Sequence, residues 1–255
     1  MIEAEGRALG TTLAWIELGL ALPTVLALLL IVAPYGRHRR EVGPQISVRA
    51  TWILMELPAV IAFAIGFTRV DASLRPLTVI PAACYLLHYL HRSLIFPFRI
   101  PGSATRTSPL FVGILGALFN CLNGFTNGLL VRPANAGESL LLIGVGLALF
   151  AVGAGINVVH DNMLFALRKD KPAGTKGDYV IPRGKLFNYV SCPNYLGELI
   201  EWGGFLLMTR SLGALAFFVY TLANLAPRAR SHHRWYREKF GDYPEGRRAL
   251  IPFVF

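Results

Sequence analysis

At 255 residues, 54% hydrophobic and only 16% charged, with a mean hydropathy of +0.48, the chain is too apolar for an ordinary soluble domain. Its net charge of +10 does not point to nucleic acid, because the basic residues fall in loops between apolar runs rather than on an aromatic-bearing soluble surface. Cys84, Cys121 and Cys192 are scattered and odd in number, which excludes a disulfide framework or thiolate metal site and leaves them as expected buried spectators.

In chain order the apolar runs predict seven transmembrane helices, over 10–34, 47–68, 76–98, 108–131, 138–167, 194–209 and 212–236, the sixth being short. The first residues lack the charged, short-apolar and small-residue pattern of a cleaved signal, so span one is expected to stay. Arg37, Arg39 and Arg40 follow span one, and Arg99 and Arg106 follow span three. Arg168, Lys169, Lys171, Lys176, Arg183 and Lys185 follow span five, and the tail is basic. The intervening loops hold little more than Arg69, Arg75, Arg132 and Arg210. The positive-inside rule then places the N-terminus outside and the C-terminus in the cytoplasm, across the inner membrane of a bacterium or the endoplasmic reticulum of a eukaryote. With no repeat and no soluble insertion, the expectation is one all-α polytopic membrane domain over 1–255, as a monomer.

Polar residues interrupt these spans at helical spacing. Asn194, Glu198 and Glu201 share one face of span six, with Pro193 in its first turn. Asn157 and Asp161 lie four apart in span five, Arg168 seven further on; Arg228, His232 and Tyr236 recur every four where span seven emerges. Tyr85, Tyr89 and Arg92 form a row in span three, with His88 alongside, and Glu56 stands alone within TWILMELPAV. Taken singly, the tail row also fits an interfacial belt, the basic loop a topology determinant, and Asn157 with Asp161 a helix clasp. Together, four polar faces at one depth describe a pocket open to the cytoplasm, since a carboxylate in hydrocarbon costs several kcal/mol unless it meets a partner, a cavity or a ligand.

Such mixed donors and acceptors suit a ligand with amide, ribose and phosphate parts. GVGLAL at 144–149 has no preceding strand and reads as helix-packing glycine rather than a dinucleotide loop. His88, His91, His160, His232 and His233 are too scattered for a metal centre. A transporter would need a polar path to the outer face, and spans four and six show little polarity there.

NYVSCPNYLGELIEWGGFLL, followed by RARSHHRWYREKFGDYPEGRRALIPFVF, resembles the C-terminal region of the steroid 5-alpha-reductase family. The similarity extends to GINVVHDNMLFALR, LLHYLHRSL and TWILMELP, covering most of the chain from about residue 50 onward. The resemblance implies a seven-helix membrane enzyme that uses NADPH to reduce the 4,5 double bond of a 3-oxo-4-ene steroid, with the helices enclosing a cofactor and substrate pocket. It implies Glu56 and Tyr89 at the steroid 3-carbonyl, and Asn157, Asp161, Arg168, Tyr179, Asn194, Glu198, Arg228, His232 and Tyr236 on the dinucleotide, with Glu201 in support. Trp52, one turn before Glu56, would line the steroid slot. Met55 stands where relatives often carry Gln, and the segment after Arg99 lacks their basic residues. The chemistry is coherent with these residue types. A conjugated ketone accepts hydride at its beta carbon when donors stabilise charge on its oxygen. Tyr89 can donate, and Glu56 can donate when protonated, the form that burial among apolar side chains favours. The alternatives are an enoyl-thioester or polyprenol reductase of the same superfamily, and an S-adenosylmethionine-dependent membrane methyltransferase, whose Pro-x-Tyr-x-Gly outline PNYLG fits.

Overall fold

The computed structural model describes residues 2–31, 42–69, 76–131, 140–169 and 179–255. The basic residues Arg37, Arg39, Arg40, Arg75, Arg132, Lys171 and Lys176 therefore lie outside the described residues. Helix α1 (Ile2–Leu30) begins eight residues before the expected span, because acids in a first turn favour the helix dipole and nothing in EAEGRA breaks the helix. A two-stranded antiparallel ribbon, β1 (Gln45–Ser47) on β2 (Thr107–Pro109), departs from the all-α expectation. It joins the starts of α2 (Val48–Thr68) and α5 (Leu110–Leu130), and Ser47 caps α2 by accepting from the Ala50 amide at 3.1 Å.

Between them, α3 (Pro76–Leu90) runs into a π-helical turn, His91–Ile95, and the four-residue α4 (Phe96–Arg99). Helix α6 (Leu140–Lys169) precedes α7 (Pro193–Thr209); Arg210, in a left-handed conformation, turns the chain into α8 (Leu212–Lys239), capped by Ser211. Among the described residues five helices, α1, α2, α5, α6 and α8, are long and apolar enough to cross a membrane. The 15 residues of α3 and the 17 of α7 fall short of the roughly 20 that a full span takes. Leu22, Leu30, Leu115, Leu118, Leu140 and Leu141 are all more than half exposed, an outer surface suited to lipid.

Glycines set the two closest helix seams. A Cβ on Gly124 would lie 2.5 Å from the Ala59 carbonyl, and Gly128 abuts Phe63, so α2 and α5 advance side by side in the same direction. Between α6 and α7 the order reverses: Gly146 meets Gly204, and Gly197 meets Asn157, where a Cβ would sit 2.5 Å from the backbone nitrogen. Of the two glycines in GVGLAL, Gly146 thus packs a helix seam, whereas Gly144 faces open space.

The tail folds back under the entry to α7. Val190 and Arg248 form a parallel bridge, and the Ser191 and Cys192 amides donate to the Arg248 and Ala249 carbonyls at 2.8 and 3.1 Å. The side chains reinforce this clamp: Ser191 Oγ lies 2.7 Å from His233 Nδ1 and 2.6 Å from the Tyr243 hydroxyl, and Tyr236 stacks on Tyr243. Burial pushes the Tyr243 phenol above its ordinary pKa, so the hydroxyl stays neutral within the clamp. The clamp fixes the residues just before Pro193, and with them the start of the helix that carries Asn194. Cys84, Cys121 and Cys192 form no disulfide with one another; Cys84 and Cys192 are buried as expected, but Cys121 is exposed on α5.

Candidate active site

The polar residues of α2, α3, α5, α6 and α7 meet in one closed cluster. Glu56, Arg92 and Asp161 are each no more than a tenth exposed. The π-helical turn swings Arg92 between two helices, its guanidinium 3.8 Å from Glu56 Oε1 on α2 and 3.7 Å from Asp161 Oδ2 on α6. Both separations exceed hydrogen-bond length, so Arg92 lies within electrostatic reach of the two carboxyl groups without a direct hydrogen bond to either. The guanidinium also lies against the Trp52 and Phe96 rings, 4.6 and 4.3 Å from their centres, and the two rings meet edge to face.

On the α6–α7 side, glycine packing lets short side chains reach across. Asn157 Nδ2 donates to the Asn194 carbonyl at 3.0 Å and to Glu198 Oε2 at 3.5 Å, and Asn194 Nδ2 donates to Asp161 Oδ1 at 3.0 Å. Four of the expected dinucleotide residues thus form one amide and carboxylate network. The other five gather around the C-terminal half of α8, and Arg168 is also within electrostatic reach of Asp161. Arg228 donates to the Tyr195 hydroxyl at 2.9 Å, and His232 Nε2 lies 3.3 Å from the same oxygen. Arg168 and Lys239 both lie over the Tyr179 ring, which also meets Trp235 edge to face. Tyr236 is buried in the tail clamp rather than in either group.

On the α2–α3 side, Glu56 and Tyr89 are joined through a residue that the sequence reading passed over. Asn120 on α5 accepts from the Tyr89 hydroxyl at 3.2 Å through Oδ1, and its Nδ2 donates to Glu56 Oε2 at 3.3 Å and to the Met55 carbonyl at 2.6 Å. Asn123 Nδ2 donates to both the Tyr89 and Tyr85 hydroxyls, at 2.8 and 2.9 Å. With its oxygen accepting from Asn123, the Tyr89 hydroxyl directs its own hydrogen to Asn120. The expectation of little polarity in span four is therefore corrected: α5 buries Asn120, Asn123, Thr126 and Asn127. A run of amides at three- and four-residue spacing in FNCLNGFTNG was the available signal, masked by the absence of charge.

Three more polar side chains are buried. His88 Nδ1 lies 2.7 Å from Glu201 Oε1, both almost fully buried. Glu17 on α1 is fully buried and was missed in a span read only as apolar. Among the described residues no group of three or more His, Cys, Asp or Glu side chains is placed to hold a metal ion. The donor set does fit a nicotinamide dinucleotide: carboxamide and ribose need the amides and carboxylates of α6 and α7, and phosphates need cations such as Arg168 and Arg228.

Known proteins resemble this chain over most of its length. The family profile described as 3-oxo-5-alpha-steroid 4-dehydrogenase matches residues 106–255. "Steroid 5-alpha-reductase DET2" of Solanum lycopersicum is 40% identical over 244 residues, covering 92% of this chain and 93% of its own. "3-oxo-5-alpha-steroid 4-dehydrogenase 1" of Rattus norvegicus is 37% identical, covering 100% and 98%, and "3-oxo-5-alpha-steroid 4-dehydrogenase 2" of Homo sapiens is 38% identical, covering 90% and 92%. With likeness of this extent running through both halves of the polar cluster, the chain belongs to the steroid 5-alpha-reductase family.

Proposed function

We propose that this protein is a membrane-embedded steroid 5-alpha-reductase that saturates the 4,5 double bond of 3-oxo-4-ene steroids with NADPH as reductant. The observation that carries the reading is the Asn120-bridged pair of Glu56 and Tyr89, set beside the amide and carboxylate network of α6 and α7. The relatives named above are steroid reductases by name; none is a thioester or polyprenol reductase or a methyltransferase.

Asn157, Asp161, Asn194 and Glu198 would hold the nicotinamide end of the cofactor, with Arg168, Tyr179, Arg228, His232 and Tyr236 serving the rest of the dinucleotide. NADPH, when bound, supplies hydride to C5 of the steroid. The chain's own part is to make that carbon electrophilic. Tyr89 transfers its hydrogen bond from Asn120 to the C3 oxygen, protonated Glu56 donates beside it, and the charge that develops there is stabilised by donors already in place. The enolate so formed takes a proton at C4 from water, directly or through a side chain. Arg92 stands between the two halves and fixes Glu56 and Asp161 relative to each other. Trp52, held under Arg92, would form a wall of the steroid slot.

The reading also takes α3 and α7 as membrane-embedded, giving seven spans with the N-terminus outside and the pocket open to the cytoplasm. The parallel course of α2 and α5 and the antiparallel course of α6 and α7 support it, because alternating spans require both. We infer a monomer, since each residue in the reading comes from one chain. NADPH consumption by the purified protein in detergent, with a 3-oxo-4-ene steroid, an enoyl thioester or no acceptor, tests the reading: only the steroid should accelerate it. Consumption driven by the thioester alone would move the protein to another branch of the superfamily.

A further inference from the structure

Helix α6 turns Asn157 and Asp161 toward α7, and another face of the same turns forms a groove with the segment that precedes α7. The groove has a volume of about 430 Å³ and is lined by Val152, Ile156, Val159 and Leu186, with His160 and Lys185. Gly155 keeps it open, since a Cβ there would meet nothing within 4 Å. From Val152 to His160 it follows α6 for about 12 Å, at 1.5 Å per residue, along an almost wholly aliphatic wall.

Two polar groups interrupt this wall. His160 is 3% exposed, and its Nδ1 lies 2.7 Å from the Ile156 carbonyl, which can only accept. Nδ1 therefore carries a hydrogen, and Nε2 is the acceptor of the neutral ring. Nε2 is buried with no hydrogen-bond partner among the described residues, a cost that a donor from a ligand would remove. Lys185 is exposed, within electrostatic reach of His160, and makes no ion pair with a described residue, whereas Arg183 pairs with Asp242 at 3.3 Å. Its backbone stands at φ 49°, in the left-handed region that lysine seldom adopts, and follows Gly184 at φ 91°. The Asn188 side chain holds this turn by accepting from the Gly184 amide at 2.9 Å. Backbone strain is thus tolerated where it sets an unpaired ammonium beside an apolar groove.

Depth identifies the occupant. Counted from Leu140, the roughly 20 residues that cross the hydrocarbon end near His160, so His160 and Lys185 stand at headgroup level and Val152 among the acyl chains. A cation at headgroup level above an apolar trough complements an anionic lipid, and the unsatisfied imidazole nitrogen complements a headgroup hydroxyl. We propose that the groove holds one anionic phospholipid, with an acyl chain along α6, the phosphate on Lys185 and a headgroup hydroxyl on His160 Nε2. The site goes beyond the reductase reading and requires only that α6 lie in the bilayer. A lipid seated there braces the turns of α6 that carry Asn157 and Asp161.

Native mass spectrometry and thermal melting of the detergent-purified protein test this, with dioleoyl phosphatidylglycerol and dioleoyl phosphatidylcholine as probes. The native protein should retain one phosphatidylglycerol, preferred about fivefold or more over phosphatidylcholine, as one lysine beside an anionic headgroup gives. Phosphatidylglycerol should also raise its melting temperature. Lys185→Gln and His160→Phe should each narrow the preference, and Gly155→Leu, which fills the groove, should abolish it. In lipid-free detergent Gly155→Leu should melt no lower than the native protein, because a Cβ there meets no neighbour and leucine favours helix over glycine. Equal retention of the two lipids by the native protein, or an undiminished preference in Gly155→Leu, overturns the site. A dimer in lipid-free detergent that Gly155→Leu dissociates would also overturn it, making the groove a contact between two copies of the chain. Should a variant misfold, the comparison of the two lipids on the native protein still decides.

Discussion

Asn194 donates its side-chain amide to Asp161 across the seam of α7 and α6, at 3.0 Å, and its own backbone carbonyl accepts from Asn157. The first residues of α7 therefore carry both a donor and an acceptor for the network that would hold the cofactor, while Glu56 and Tyr89 lie on the opposite side of Arg92. Because the two halves touch through Arg92 rather than through shared residues, they are separable by mutation.

Asn194→Ala should weaken NADPH binding roughly tenfold or more, the consequence of leaving a buried partner unsatisfied at about 1–3 kcal/mol. Tyr89→Phe should leave that binding nearly unchanged and lower turnover. Titrating NADPH into each purified variant, by fluorescence or calorimetry, measures both. The reverse pattern would show that the residues have been assigned to the wrong halves.

Glu56→Leu should lose nearly all activity, whereas Glu56→Gln should retain some, because an amide keeps a donor for the carbonyl oxygen. Loss of one such donor costs about 2.7–4 kcal/mol, or two to three orders of magnitude in kcat. Near-normal turnover by a folded Glu56→Leu protein would remove Glu56 from the mechanism.

Asn120 touches both members of the proposed pair, and its two ends can be tested separately. Asn120→Asp keeps the oxygen that accepts from Tyr89 but loses the donor to Glu56 and the Met55 carbonyl; Asn120→Ala loses both. Turnover should fall in the order native, Asp, Ala, with kcat affected more than NADPH affinity. If Asn120→Ala instead weakens NADPH binding and leaves kcat intact, Asn120 does not position the pair.

Much of the helix order was legible because long apolar runs are a strong signal: Val48–Thr68, Pro193–Thr209 and Leu212–Lys239 start within a residue of their expected spans. The row of Asn194, Glu198 and Glu201 was legible for the same reason, since charge in hydrocarbon stands out and helical spacing tells which residues share a face. The pairings were not. His88 meets Glu201 across 113 positions and Tyr89 meets Asn120 across 31, and no local period records which helices adjoin. Asn120, Asn123 and Asn127 escaped notice because amides leave an apolar average little changed, and Glu17 because one acid scarcely lowers the hydropathy of the apolar run over 10–34. The π-helical turn that brings Arg92 between Glu56 and Asp161 has no sequence signature in HRSLI that distinguishes it from α-helix.

Topology follows from the charge bias of the loops and has its own test. Single cysteines placed at Lys176 and at Ala134 in a cysteine-free background should react with a membrane-impermeant reagent from opposite sides. Reaction of both from the same side would eliminate the seven-span arrangement.

The most direct measurement follows two hydrogens through one turnover. With NADPH deuterated at the transferable position of the nicotinamide, and a 3-oxo-4-ene steroid in ordinary water, mass and magnetic resonance spectra of the product should place deuterium at C5 on the alpha face. With ordinary NADPH in heavy water, deuterium should appear at C4. Cofactor-derived deuterium at C3, with the double bond intact, would mean that the ketone itself is the hydride acceptor, contradicting the role of Glu56 and Tyr89 as donors to the C3 oxygen.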